Sequence, residues 1–355
     1  MLKFLLVNKI KKTKSTSWFL SLLILVACCQ FTYSQQITVD NSQTPQQLIE
    51  NNLVLGCVEV SNVVSNINGS ENNFTSFGYF ERANSNFPFE NGILLSTGRA
   101  EAAGNAVNTN VLNDGNTTWG TDMDLEAALG ITETLNATTV EFDFVSVANQ
   151  ISFNYILASE EYINEQPCTY SDGFAFLIRE AGTSNPYTNI ALIPGTNTPV
   201  NTTTIHDEIV GFCPAENEEF FEGYNVGDTN FNGRTTVLTA STAILPNVEY
   251  HIKLAIADQG DQFYDSAVFI EGNSFNSTVD LGPDITTCAT NTTISADIQN
   301  PLATYEWFKN DVLLTAESNT SLFITDSICS TTKSRFLAWT TRTFVPFGIS
   351  RFAVA

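Results

Sequence analysis

The residues best equipped for chemistry in this chain of 355 residues are two groups of carboxylates, each at the end of an apolar run. Glu160, Glu161 and Asp172 bound the loop between residues 151–158 and 173–178. Asp258, Asp261 and Asp265 lie in a glycine-containing loop between residues 250–257 and 266–271. Carboxylates gathered on loops at strand ends can supply the roughly six to eight oxygens that calcium takes. The spacing is not that of an EF-hand, which needs a central glycine and a terminal bidentate glutamate. The expectation is one Ca2+ ion joining members of both groups. The other role open to Glu160, Asp172 and Asp265 is to accept backbone amides in tight turns, with Arg179 or Lys253 balancing some of the charge.

Paired carboxylates also suit glycoside hydrolysis, in which two acids flank a cleft. Hydrolases of this kind usually carry tryptophan-rich clefts, and outside the two chain ends and the second unit only Trp119 is present. There is no G-x-S-x-G, no cysteine nucleophile beside a histidine and no phosphate loop. A non-catalytic binding protein is expected, with a glycosidase or lyase as an alternative. A carbohydrate-binding module is the other alternative, with Tyr162, Tyr170, Phe263 and Tyr264 as an aromatic platform or as packing residues. His206 and His251 stand alone and no CxxC spacing occurs, so no zinc site is expected.

The elements that must position these groups read as strands. Residues 140–144 (VEFDF) alternate strictly, and residues 151–158 alternate before becoming continuously apolar. Residues 173–178 (GFAFLI) are too short and too aromatic for a helix. Further strands are expected at 92–96, 189–193, 235–239, 250–257 and 266–271, with turns at Asn68-Gly69 and Asn91-Gly92. Two short helices are expected. One starts behind Thr44-Pro45 with Gln47 at the third position and ends near Asn52; the other runs from Asp122 to Gly130. The fold class is all-β, a jelly-roll-like β-sandwich over residues 40–276.

All 38 acids lie between Asp40 and Asp326, where only six bases accompany them. Such a field repels nucleic acid and anionic lipid and suits divalent cations or cationic partners; it also keeps a secreted protein soluble. Residues 1–34 read as an export signal, with lysines up to Lys14 and a ten-residue apolar segment from Trp18 to Ala27. Cleavage near Ser34-Gln35 would release a soluble protein, whereas Leu25-Val26-Ala27-Cys28 resembles a lipobox that would place a lipid anchor on Cys28. No later stretch is long enough for a transmembrane helix. Export implies an oxidising compartment, and Cys168 with Cys213 is the expected disulfide, since both sit in acidic, aromatic loops. Cys57, Cys288 and Cys329 are left without assigned partners.

A second unit begins at Asp280. Cys288 followed by Trp307 looks like the front half of an immunoglobulin-like sandwich over residues 280–329. Its back half is missing. Residues 330–355 turn basic and carry no acid, as a frameshifted tail would or as a divergent terminus would.

Six segments taken in order, GILLSTG (92–98), EFDF (141–144), ASEEY (158–162), SDGFAF (171–176), IPGT (193–196) and DSAVFIE (265–271), resemble the choice-of-anchor L domain. The resemblance covers residues 45–275. It implies an exported or cell-surface protein of the Bacteroidetes type, with immunoglobulin-like or PKD-like modules and a link to gliding-motility-associated surface proteins. The implied role is adhesion to an extracellular protein or glycan, or a surface-structural one, and the resemblance supplies no established catalytic residues. The sorting domain that usually follows is absent from this sequence.

Overall fold

The computed structural model describes residues 36–55, 58–114, 119–278, 292–297, 304–309, 312–324, 336–343 and 349–353. The segment expected to be an export signal (1–34), Cys28, Cys57, Cys288 and Cys329 lie outside them.

Among the described residues fifteen strands build the main domain: β1 (Thr38–Asp40), β2 (Val54–Leu55), β3 (Val58–Val64), β4 (Phe77–Glu81), β5 (Asn91–Ser96), β6 (Thr134–Ser146), β7 (Gln150–Ser159), β8 (Gly173–Glu180), β9 (Thr188–Asn189), β10 (Phe221–Tyr224), β11 (Gly233–Thr235), β12 (Leu238–Ala243), β13 (Glu249–Gln259), β14 (Ser266–Glu271) and β15 (Phe275–Thr278). Ten form one sheet along the path β1-β4-β5-β14-β7-β11-β10, with β12 and β15 on β7 and β2 on β15. The other five form a second sheet, β3-β6-β13-β8-β9. Their inner faces meet in one core, where Phe153 of β7 and Phe176 of β8 pack edge to face with ring centroids 4.6 Å apart. The protein is an all-β sandwich.

Both sheets are also covered outside, which accounts for the continuous apolar runs. The outer face of the large sheet carries Leu94, Ile156, Ala158 and Phe269 against Phe87, Phe89 and Leu112 from long loops. On the small sheet, Ala175, Leu177 and Ala255 lie under Leu125. Leu125 belongs to helix α2 (Met123–Leu129), capped by Asp122 and closed by left-handed Gly130, as the sequence implies. Helix α1 (Pro45–Gln47) has the expected capping box on Thr44 and continues as a π-helical stretch, Leu48–Leu53.

Three expectations about elements change. The strand expected at 189–193 ends at Asn189, whose side-chain oxygen takes the amides of Phe176 and Ala191 and so replaces the ladder. The run 235–239 is split between β11 and β12. Asn91 and Gly92 lie within β5 and make no hairpin turn. Gly92 is needed there because a Cβ would overlap the Ile270 carbonyl of β14.

Beyond Asp280, Thr292–Ser295 pairs with Ser321–Ile324, and Thr304–Lys309 pairs with Phe336–Thr343, which pairs with Ile349–Ala353. Trp307 is buried there and donates to the Asn319 carbonyl at 2.8 Å.

Candidate functional site

Strand direction brings the two acidic groups to one end of the sandwich. In the large sheet β7 ends at Ser159, which pairs with Ser266 at the start of β14, so Glu160 and Asp265 become neighbours. In the small sheet Ala257 pairs with Gly173, so Asp258 and Asp172 face one another. The two sheets are joined at this edge. The Asp172 amide donates to Glu161 Oε2 at 3.0 Å, and Thr138 Oγ1 of β6 donates to the Ser96 carbonyl of β5 at 2.7 Å.

The local chain is shaped for this convergence. The register of β13 against β6 slips between Ile256 and Asp258, and the opposite strand carries Asn136 at a positive φ of 51°. Such a bulge re-aims a side chain. Here it lets Asn136 Nδ2 donate to Asp258 Oδ2 at 2.6 Å. Gly98 follows β5, and a Cβ at that position would overlap the Asp265 carboxylate. Thr97 and Ser96 bond Ser266 through their hydroxyls.

Five of the six predicted acids, Glu160, Glu161, Asp172, Asp258 and Asp265, are between 0% and 7% exposed. Two loop segments close over them. Leu112 N donates to Glu160 Oε1 at 3.0 Å and Asp114 N to both oxygens of Asp265 at 3.1 Å, while Thr202 Oγ1 donates to Glu161 Oε2 at 3.1 Å. Of the three acids expected to accept backbone amides, Glu160 and Asp265 do so, from a distant loop and not within a turn, while Asp172 donates its own amide to Glu161. The anticipated counter-charge lies elsewhere: Lys253 pairs with Asp122 at 3.0 Å and Asp124 at 2.6 Å, and Arg179 lies over the Tyr187 ring. Glu160 Oε2, Asp172 Oδ2 and Asp258 Oδ1 are buried without a hydrogen-bond partner of good geometry, as is Asn113 Oδ1 between the two capping amides, although the Ser266 and Thr97 hydroxyls lie near the Asp172 and Asp258 carboxylates.

Burial pushes the carboxyls of Glu160, Glu161 and Asp265 up to about 7. Asp172 and Asp258 are raised well above the ordinary range, first by burial and further by the negative charge of the other acids. Such a cluster at neutral pH must share protons or meet a cation. As the side chains stand, no group of three or more among the described residues is close enough to hold a metal ion.

The sixth acid, Asp261, is exposed and accepts the Phe263 amide at 2.9 Å in its own turn, so it stands outside the buried group. Among the proposed platform aromatics, Tyr162 is a packing residue. It is fully buried, its ring lies 4.9 Å from that of Phe221, and its hydroxyl donates to the Ile205 carbonyl. Tyr170 and Phe263 are exposed, and Tyr264 is half-buried at a positive φ of 66° beside Asp265. Trp119 is buried against Phe74. Cys168 and Cys213 form the expected disulfide. Sequence reasoning missed Thr97, Gly98, Asn136, Thr202 and the 112–114 segment. The STG of residues 96–98 was legible as a turn but not as a cradle for a carboxylate.

Four of the six segments that carry the family resemblance end on this cluster: those containing Thr97 and Gly98, Glu160 and Glu161, Asp172, and Asp265. Among the described residues no helix is long and apolar enough to cross a membrane. No curated protein matches the sequence. Among solved structures, a β-1,2-glucanase from Parabacteroides distasonis aligns at 8% identity and a TM-score of 0.17, over 64% of this chain and 33% of that one, a likeness too slight to carry an argument. The family model of the choice-of-anchor L domain matches residues 36–276, the sandwich up to the first half of β15; the chain belongs to that family and is a surface-associated protein.

Proposed function

We propose that this is a non-catalytic adhesion protein of the cell exterior, in which calcium loads the buried carboxyl cluster and locks the loops of that end for binding. The observation that carries the reading is the uncompensated cluster, five buried acids with three orphaned carboxylate oxygens and, among the described residues, no basic side chain paired with them. A cation there would tie the ends of both sheets to the segments at 112–114 and 202–205, which present the loops of this end. Burial of the acids favours binding over hydrolysis, since a glycosidase needs its two carboxyls open to an incoming sugar and water. A role among gliding-motility-associated surface proteins belongs to the same reading.

The test is thermal unfolding of the purified chain in EDTA and in millimolar calcium. An ion that binds only the folded state adds about 2.7 kcal/mol at a hundredfold excess over Kd. The midpoint should rise with calcium, and Asp172→Asn with Asp258→Asn should abolish the rise. An unchanged midpoint would leave the acids as a proton-sharing scaffold and sink the calcium reading.

A further inference from the structure

Residues 206–216 form a short β-finger that projects from the cluster end. His206 and Glu216 exchange both backbone hydrogen bonds, at 2.9 and 3.0 Å, and Ile209 and Cys213 do the same at 3.0 and 3.2 Å. Gly211, at a φ of +88°, makes the tip turn. At its base His206 is buried, and the Tyr162 hydroxyl holds the neighbouring Ile205 carbonyl. Near the tip the Cys168–Cys213 disulfide ties the finger to the 161–172 loop. This fastening is unusual for what it displays: Val210 is 82% exposed and Phe212 is 65% exposed. A rigid apolar tip loses little freedom on binding, which favours affinity. Tyr170, itself half exposed, is two residues from Cys168 in the loop to which the finger is tied.

Charge defines the partner. From His206 to Glu222 the chain carries Asp207, Glu208, Glu216, Glu218, Glu219 and Glu222, and no lysine or arginine. Only Glu222 has an ion pair among the described residues, with Arg234. The tip is an apolar plug in an acidic collar. An anionic lipid surface would be repelled by that collar, and a basic protein surface would be steered to it.

We infer that the 206–216 finger is a docking element for a basic protein segment, with Val210 and Phe212 entering an apolar recess and the surrounding carboxylates meeting lysine or arginine. It deepens the adhesion reading by naming contact and partner, but needs no calcium, because the disulfide and the strand pairing hold the finger.

The experiment measures binding of the full chain to a short amphipathic peptide of paired lysines alternating with Leu-Phe, and to the same peptide with glutamate for lysine, in EDTA and in calcium. The lysine peptide should bind in both buffers, more weakly as salt rises, and the glutamate peptide should not. Val210→Ser with Phe212→Ser should weaken binding about tenfold or more, the loss expected for an aromatic anchor; Glu218→Gln with Glu219→Gln should weaken it and flatten the salt dependence. Both pairs are at the surface, so unchanged melting will show that the fold is intact. Equal binding of the two peptides, indifference to the tip substitutions, or preference for neutral phosphatidylcholine vesicles would overturn the proposal. Binding lost only in EDTA would overturn the claim of calcium independence while leaving the calcium reading standing.

Discussion

Lowering the pH of a calcium-free solution from 7.5 to 5.5 should stabilise this protein, the reverse of ordinary acid denaturation. Glu160 shows the sign and size. Its carboxyl ordinarily titrates near 4.5 and stands at about 7 when folded, so between those values the folded state binds more protons than the unfolded one. Stability therefore rises as pH falls through 7 and reaches its full gain near the unfolded value. Over this interval the linkage relation gives about 2 kcal/mol for one such group. Glu161 and Asp265 stand at the same value. The gains do not add, because the acids raise one another and the first proton relieves the rest; a total of about 2–4 kcal/mol is expected. In a domain of this size that is a rise of roughly 5–10 °C in Tm. His251 acts in the same direction. Its ring bonds to Asp143 and Glu141 hold it above its ordinary value of 6.5, so its contribution is present at low pH and fades as pH rises through its folded pKa. A His251→Gln control separates the two, since the cluster's slope persists between pH 6.5 and 5.5 without it. Saturating calcium should flatten the profile, because the ion replaces the protons. The assay is urea unfolding across this pH range in EDTA and in calcium. A calcium-free profile that is level, or that falls toward pH 5.5, would refute the account of the cluster.

Two further substitutions test the structure around it. Gly98→Ala should cost about 1–3 kcal/mol in urea unfolding, since the new Cβ displaces the Asp265 carboxylate from the Asp114 amide, and faster hydrogen exchange at that amide should accompany it; a loss below about 0.5 kcal/mol would show that the cradle yields freely. Arg234→Met should cost about 3–5 kcal/mol, because it strands the buried Asp228 carboxylate that the guanidinium grips together with Glu222; the double variant with Asp228→Asn should recover part of that loss, and equal losses in the single and double variants would refute the pairing.

Periodicity disclosed the strands whose two faces differ or whose apolar content is dense. Residues 140–144 show alternation because Glu141 and Asp143 meet His251 across the strand pair while Val140, Phe142 and Phe144 enter the core. It failed where a side chain does the work of the ladder, as at Asn189, or where a glycine that reads as a turn is demanded by a neighbouring strand, as at Gly92. Of the site, the acids themselves were legible from type and position, along with the disulfide partners. Their burial was not. The covering segments at 112–114 and 202–205 are loops without period, and their contribution is backbone amides and one threonine hydroxyl, which any sequence could supply. The exposed Asp261 and the buried Asp258 also look alike in sequence; Asp258 lies within β13, paired with β6, whereas Asp261 falls in the loop beyond the strand's end.

The convergence of acids has a topological cause, and that cause limits what the site can be. Each sheet contributes a strand that ends in acid beside a strand that begins after acid, β7 with β14 and β13 with β8, so antiparallel pairing alone places like charges in contact on both sides of the core. Mutual repulsion and burial oppose that arrangement, and among the described residues no Lys or Arg is paired with any of these five acids. A fold held together only by its core would gain stability by replacing some of these acids with amides. On the proposed reading, the charge at this junction of both sheets and two covering loops is neutralised by a proton or a cation, and the state of this end changes with which one is bound. The pH and calcium titrations distinguish the two, because protons alone would leave calcium without effect, whereas a cation site would make the two compete.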